Sequence, residues 1–232
     1  MAKIDKSQYT KTEWKIIREK RRQEKRVNAL IESSNPNEKI AFVIGNGTSR
    51  KPINLEDLHS IGKTYACNAV YRTFSPDYLI AVDVKMILEI NKAGYQHKNA
   101  VWTNPNKSYA KIQNLNYFQP SKGWSSGPTA LWLASEHSYD KIYILGFDFR
   151  GLNEGKMFNN IYADTANYKK STDSATFFGN WMRQTTNVIK SNPDIEYVRV
   201  IAPDNYCPEE LNKFDNLKTI TVEDFKEIFN IL

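Results

Sequence analysis

Residues 40–49 read IAFVIGNGTS. The first five, Ile40 to Ile44, form an apolar run rich in β-branched side chains and too brief for a helix. That pattern predicts a strand buried on both faces of a parallel sheet. The next residues, Gly45-Asn46-Gly47-Thr48-Ser49, are small and let the backbone turn sharply and come close to a ligand. Open α/β sheets bind ligands outside the carboxyl ends of their strands. The turn is therefore expected to hold a nucleotide, although a plain left-handed turn explains the glycines equally well.

Outward from this stretch, strands alternate with helices. Strands are expected over Tyr65–Val70, Tyr78–Asp83, Asn99–Thr103, Lys141–Gly146, Glu196–Ile201 and Leu217–Val222, with a short one at Asn116–Phe118. Helices are expected over Leu55–Ile61, Val84–Ala93, Thr129–Ser135, Ser174–Ser191, Pro208–Phe214 and Glu223–Leu232. Gly94 closes the second of these as a C′ glycine. Pro128 suits the first turn of the third, where a missing N–H costs nothing. Such alternation argues for an α/β fold, an open parallel sheet with helices on both faces. Residues 150–173 are polar, lack periodicity and exceed the ~4–6 residues of an ordinary connection, so they read as a lid.

Composition sets the class. The chain has 232 residues, 41% hydrophobic and 12% aromatic, and its mean hydropathy is −0.59. That is enough for a substantial core, and no segment approaches the ~20 apolar residues of a bilayer span. The start, MAKIDKSQYTK, lacks the apolar region of a secretory signal. Cys67 and Cys207 are distant and carry no metal-ligand spacing. A reduced, cytoplasmic protein without a metal site is expected, with Cys67 a small core residue.

Charge is unevenly placed. Residues 1–39 hold 11 Lys and Arg against 6 Asp and Glu, and the rest of the chain 21 against 20. Residues 1–37 are expected to form a basic N-terminal helix (Tyr9 to Glu32) and linker, and residues 38–232 the nucleotide-binding domain. Trp14, Ile17, Val27, Leu30 and Ile31 keep helical spacing, but Arg18 to Arg26 is charged all round. Residues 11–26 could meet nucleic acid or another anionic surface through counterion release, or form a solvated face.

If the sheet is parallel, Gly45, Asn46, Gly47, Ser49, Asn68, Asp83 and Asp148 converge on one edge. The turn Ser125-Ser126-Gly127 at a helix start joins them, and a helix N-terminus offers N–H groups and a positive dipole end to phosphate. Asn68 can donate and accept toward a ribose or a base. There is neither a three-glycine dinucleotide fingerprint nor a P-loop.

In this order, GNGTS, Cys67-Asn68, Ser125-Ser126-Gly127 and Ile144-Leu-Gly-Phe-Asp148-Phe149 resemble the bacterial CMP-sialic-acid-dependent sialyltransferases of Rossmann-like fold. The likeness spans about residues 40–205, and Ile161-Tyr162-Ala-Asp-Thr165 resembles that family's lid. The first glycine turn is also similar to that of pterin diphosphokinase-like proteins. The sialyltransferase resemblance implies that Asn46, Gly47 and Asn68 contact the nucleotide and that Ser126 and Gly127 hold cytidine. It further implies that Tyr162 donates to the leaving phosphate, and that no metal or cofactor is used beyond the nucleotide-sugar co-substrate. Two positions depart. Arg150 stands where the family has a second lid tyrosine, and none of His59, His97 and His137 falls where the family carries its general base. His137 reads as a cap at a helix C-terminus. A carboxylate would then serve as base, with Asp83, Asp173 and Asp164 the choices. Lys122 is the nearest cation to a donor carboxylate at the Ser-Gly turn, so the sugar need not be sialic acid. Three readings follow: a glycosyltransferase with an unidentified acceptor, a nucleotide-binding protein without transfer chemistry, and a nucleic-acid-directed enzyme using its basic helix.

Overall fold

The computed structural model describes residues 9–32, 37–202 and 206–231. The sequence expects a break over Ser33–Asn37, of which residues 33–36 lie outside the described residues, as do residues 1–8, 203–205 and 232. Eight strands form one parallel sheet: β1 (Ile40–Ile44), β2 (Lys63–Cys67), β3 (Tyr78–Ile80), β4 (Val101–Thr103), β5 (Asn116–Tyr117), β6 (Lys141–Leu145), β7 (Glu196–Ile201) and β8 (Leu217–Thr221). Their order is β5-β4-β3-β2-β1-β6-β7-β8. The helices are α1 (Lys11–Glu32), α2 (Val84–Lys92), α3 (Ser126–Glu136), the single turn α4 (Leu152–Gly155), α5 (Gly179–Ser191) and α6 (Val222–Phe229). This is the α/β, Rossmann-like open sheet that the sequence predicts.

The pleat of β1 sorts the two core layers. Phe42 and Ile44 pack into the layer that holds Met86, Ile87 and Ile90 of α2 and Phe225 of α6. Ala41 and Val43 point the other way, into the layer built from Ala130, Leu131 and Ala134 of α3 and Val188 and Ile189 of α5. Successive side chains of a strand take opposite faces, so a strand covered by helices on both sides reads as a continuous apolar run. Ala41 to Ile44 are fully buried. α1 packs on α6. It opens on a reciprocal cap, in which Glu13 N–H donates to Thr10 Oγ1 at 3.3 Å and Glu13 Oε2 accepts from Thr10 N–H at 2.8 Å; this is a capping box.

Several boundaries shift, each for a local reason. The second strand stops at Cys67 because Asn68 takes φ +55°, a left-handed conformation that asparagine tolerates. A 3-10 turn follows over Asn68–Arg72. The third strand ends at Ile80, and the Asp83 carbonyl accepts from Met86 and Ile87 N–H to start α2. α3 begins at Ser126, three residues before the expected start. The helix expected from Ser174 begins only at Gly179, because Ser174 pairs in an antiparallel bridge with Met157. Pro208–Phe214 is a run of turns, with Leu211 N–H on Pro208 O and Asn212 N–H on Glu209 O; a segment this short does not repay helix nucleation.

After β5 the chain returns across the sheet to place β6 beside β1, so the strand order reverses between them. At this switch point two glycine turns touch. Gly45 N–H donates to Leu145 O at 2.8 Å, and Gly47 N–H to Gly146 O at 2.9 Å. A Cβ on Gly146 would sit 2.9 Å from Gly45 O, at a φ of +66°. Gly123 has a similar φ of +62° but open space around it. Both positions charge an alanine the left-handed penalty of roughly 1–2 kcal/mol, and only Gly146 adds a backbone clash. Gly146→Ala should therefore lower the free energy of unfolding in urea by clearly more than Gly123→Ala. Equal losses would show that the two turns are not held in close contact.

Candidate functional site

A cleft of about 370 Å³ opens at the carboxyl edge of the sheet, over the β1–β6 switch point. Its floor is Gly45, Asn46, Gly47 and Gly146. One wall is Asn68, Asp83, Ser126 and Gly127, and the opposite side carries Asp148 and Arg150. The fold thus brings nine of the sequence-predicted site residues to one cavity.

Hydrogen bonds tie the strand tips together. Ser126 Oγ donates to Asn68 Oδ1 at 2.8 Å and accepts from Val82 N–H at 3.1 Å. This joins the ends of β2 and β3 to the start of α3. With its oxygen committed, Asn68 keeps its amide N–H groups for a ligand. The leading N–H groups of α3 have no intrahelical acceptor, and the positive end of the helix lies there. Asn46 is buried; its Nδ2 donates to Cys67 O and to Tyr168 Oη, both at 3.3 Å. Its Oδ1 is buried without a hydrogen-bond partner. A buried acceptor left unpaired costs about 1–3 kcal/mol, which a ligand O–H or N–H donor would recover.

Two buried arginines lie beneath this edge. Arg50 Nε donates to Gly45 O at 2.6 Å. Arg199 donates to Phe147 O at 2.9 Å, to Asp148 O at 3.2 Å and to Tyr206 O at 3.1 Å. Burial pulls Arg199 below its ordinary pKa, with the nearby Cys207 and Asp148 opposing. These cations fix the carbonyls of the β1 and β6 turns and leave positive charge below the cleft.

The carboxylates divide by what they already hold. Asp148 accepts from Ser49 N–H at 3.1 Å, from Ser49 Oγ and from Asn159 Nδ2 at 2.9 Å, so it serves to fix the loops. Ser49 lies outside the main cleft, on a neighbouring hollow of about 230 Å³ that shares Asp148 and Arg150 with it. Asp83 is exposed at the cleft wall and makes no side-chain cap for α2. Asp173 and Asp164 are exposed and outside the cleft; they accept from the backbone N–H groups of Lys170 and Ser171. Of the acids expected as base, the fold places only Asp83 in the cavity.

Tyr162 is likewise outside the cleft. It is buried, with its hydroxyl 2.9 Å from Thr73 Oγ1 and 3.4 Å from an Arg50 nitrogen. Tyr168 lines the cavity instead, where its hydroxyl accepts from Asn46 Nδ2 and from Ala69 N–H at 3.4 Å. Burial pushes the Tyr168 hydroxyl well above the usual tyrosine pKa, so it stays protonated. Phe178, Trp181, Asn159 and Lys169 also line the cavity and were not singled out from sequence. Lys122 sits over the faces of Trp132 and Trp124, at 4.6 and 5.6 Å. None of the three histidines lines the cleft; His137 caps α3 and meets Tyr65 Oη at 2.6 Å through Nδ1. Burial pushes the Cys67 thiol up to about 12, as fits a core residue.

The segment expected as a lid is held against the floor by two anchors. Ile161 N–H donates to Asn46 O at 2.8 Å. Arg72 donates to Thr165 Oγ1 at 2.8 Å and to Ala166 O at 2.9 Å, and is itself held by Glu89 at 2.6–2.7 Å. Asn167 Nδ2 donates to the same carboxylate at 2.6 Å. Burial alone would raise the Glu89 pKa, but hydrogen bonds from Arg72, Tyr71 and Asn167 outweigh it and hold it below the ordinary 4.5. A carboxyl depressed in the closed state favours closure above its ordinary pKa, and that contribution fades as pH falls through the closed-state value. Acidification below the ordinary glutamate value of 4.5 should therefore lower hydrogen-exchange protection, taken relative to the intrinsic rate at each pH, in residues 158–170 before the sheet opens. Glu89→Gln should show low lid protection at neutral pH and little further loss of protection with acid. A lid equally protected in both proteins at every pH would rule out this anchor.

Compared with known protein families, with curated proteins and with solved structures, the chain matches none.

Proposed function

We propose that the cleft binds a nucleotide-activated sugar and that the protein transfers the sugar to an acceptor hydroxyl. The observation that carries this reading is the meeting, in one cavity, of a helix N-terminus, an unpaired buried acceptor at Asn46 and an uncommitted carboxylate at Asp83. The donor phosphate sits at the start of α3, where Ser126 and Gly127 N–H groups and the helix dipole meet negative charge. Asn46 Oδ1 accepts from a hydroxyl or an amino group of the nucleoside, and Asn68 donates to it.

Chemistry follows from the same placement. Departure of a nucleoside phosphate concentrates charge on the leaving oxygen. Preorganised N–H groups, Arg150 at the rim and the protonated Tyr168 hydroxyl stabilise that charge where it develops. Asp83 takes the proton from the acceptor hydroxyl as it attacks the anomeric carbon. A CMP-sugar is the first donor to test, because the motif order resembles that of the CMP-dependent sialyltransferases. With no histidine in the cleft, binding without transfer is the competing reading.

Calorimetry and thermal shift with CMP, UMP and GMP separate these. CMP should raise the melting temperature with the logarithm of ligand excess, as any ligand specific for the folded state must. Ser126→Ala should weaken it by about tenfold, through loss of the bond that orients Asn68. Asp83→Asn should bind CMP as wild type does, yet slow release of CMP from a CMP-sugar by 10²-fold or more. No stabilisation by any nucleotide would overturn the reading. Binding without turnover in the wild-type protein would leave a nucleotide-binding protein only.

A further inference from the structure

The N-terminal helix carries most of its positive charge in one stripe. At about 100° per residue, Lys11, Lys15, Arg18, Arg21, Arg22 and Lys25 fall within an arc of roughly 120°, and Trp14 falls inside it. Glu13 and Glu19 lie outside that arc. The stripe lines one continuous surface of α1, with Ile17 and Glu19 at its margins, about 21 Å long from Lys11 to Lys25 at 1.5 Å per residue. Lys11, Lys15, Arg18, Arg22 and Lys25 are in no ion pair among the described residues, and all five are exposed. These five cations repel one another at this spacing, so the arrangement is favoured when a polyanion lies along it.

We propose that α1 is a binding arm for the phosphate backbone of duplex nucleic acid. A rigid helix about 10–12 Å across fits a major groove ~12 Å wide, with one flank on the phosphates. A bilayer surface fits less well. A membrane-lying helix needs an apolar face opposite its charges. Here that side carries Glu13, Ile16 and Lys20, a single exposed isoleucine (63% accessible) between charged groups. The remainder of the chain, beyond residue 39, has nearly balanced charge, so binding should depend on this stripe. The proposal is independent of what occupies the cleft.

The test is fluorescence anisotropy of a labelled 20-base-pair DNA duplex with the full chain, from 50 to 300 mM salt. Each phosphate contact contributes about −0.9 to the slope of log K against log salt, so five contacts give about −4.5. The triple variant Lys15→Glu, Arg18→Glu, Arg22→Glu should lower the steepness by about 2.7 and the affinity at 100 mM salt at least tenfold. Lys20→Glu, on the opposite side, should stay within twofold of wild type. Circular dichroism melting checks that each variant is folded, and the milder Lys15→Gln, Arg22→Gln pair, expected to lose about 1.8 in slope, replaces the triple if it is not. Absence of duplex binding at 50 mM salt, or an unchanged slope in the stripe variants, overturns the proposal. So does binding to phosphatidylglycerol vesicles without binding to duplex, which would make the arm a lipid-surface contact.

Discussion

The structure depends on the contact between the glycine turns that end β1 and β6. Strands 4.7–4.9 Å apart normally diverge once their ladder ends. Here Gly45, Gly47 and Gly146 let the two backbones stay paired beyond the strands, through Gly45 N–H on Leu145 O and Gly47 N–H on Gly146 O. A Cβ on Gly45 would lie 2.7 Å from Gly146 O, and one on Gly47 would run into the Asp148 carboxylate. Small residues are required on both strands, so the floor of the cleft and the switch point of the sheet are one construction.

That floor is stiffened from below by charge. Arg50 and Arg199 are nearly inaccessible, at 6% and 2%, and their hydrogen bonds described above go chiefly to main-chain carbonyls. Burying a guanidinium is costly unless its donors are used. Each arginine uses them to fix the main chain of a glycine turn, Arg50 at Gly45 and Arg199 at Phe147 and Asp148. The same two cations set a positive potential under the strand tips, where the first N–H groups of α3 already favour an anion. Rigidity and electrostatics thus come from the same residues, as preorganised stabilisation requires.

Much of this was legible in the sequence because it rests on local signals. The run Ile40–Ile44, the Gly-Asn-Gly turn and the polar Ser125-Ser126-Gly127 before a helix each follow from backbone chemistry, and the parallel sheet then brings them together. Asn68 reads as a strand-end ligand, and its left-handed φ is what turns the chain there. The two arginines carried no signal. Arg50 lies six residues past the strand end and Arg199 in the middle of β7, where a charged residue in an apolar run reads as a surface position. The same limit hid Trp181 and Phe178, whose place at the cleft depends on where α5 begins. That start is set by the Met157–Ser174 bridge, a contact between residues whose local propensities do not announce it.

The lid shows most clearly why spacing alone could not assign the tyrosine. Two anchors fix its path: Ile161 N–H on Asn46 O, and Thr165 and Ala166 on Arg72. Tyr162 follows the first anchor by one residue, and its side chain is carried down beside Thr73 and Arg50. Tyr168 follows the second, after Asn167 turns through φ +66°, and is carried back to Asn46 and Ala69. The guanidinium of Arg72 lies 5.7 Å from the ring centres of both tyrosines, so one cation supports the two rings in their separate roles. The role of a lid residue is decided by its distance from an anchor rather than by the motif around it. An arginine on the 3-10 turn after β2 and a glutamate on α2 therefore determine which hydroxyl enters the cavity.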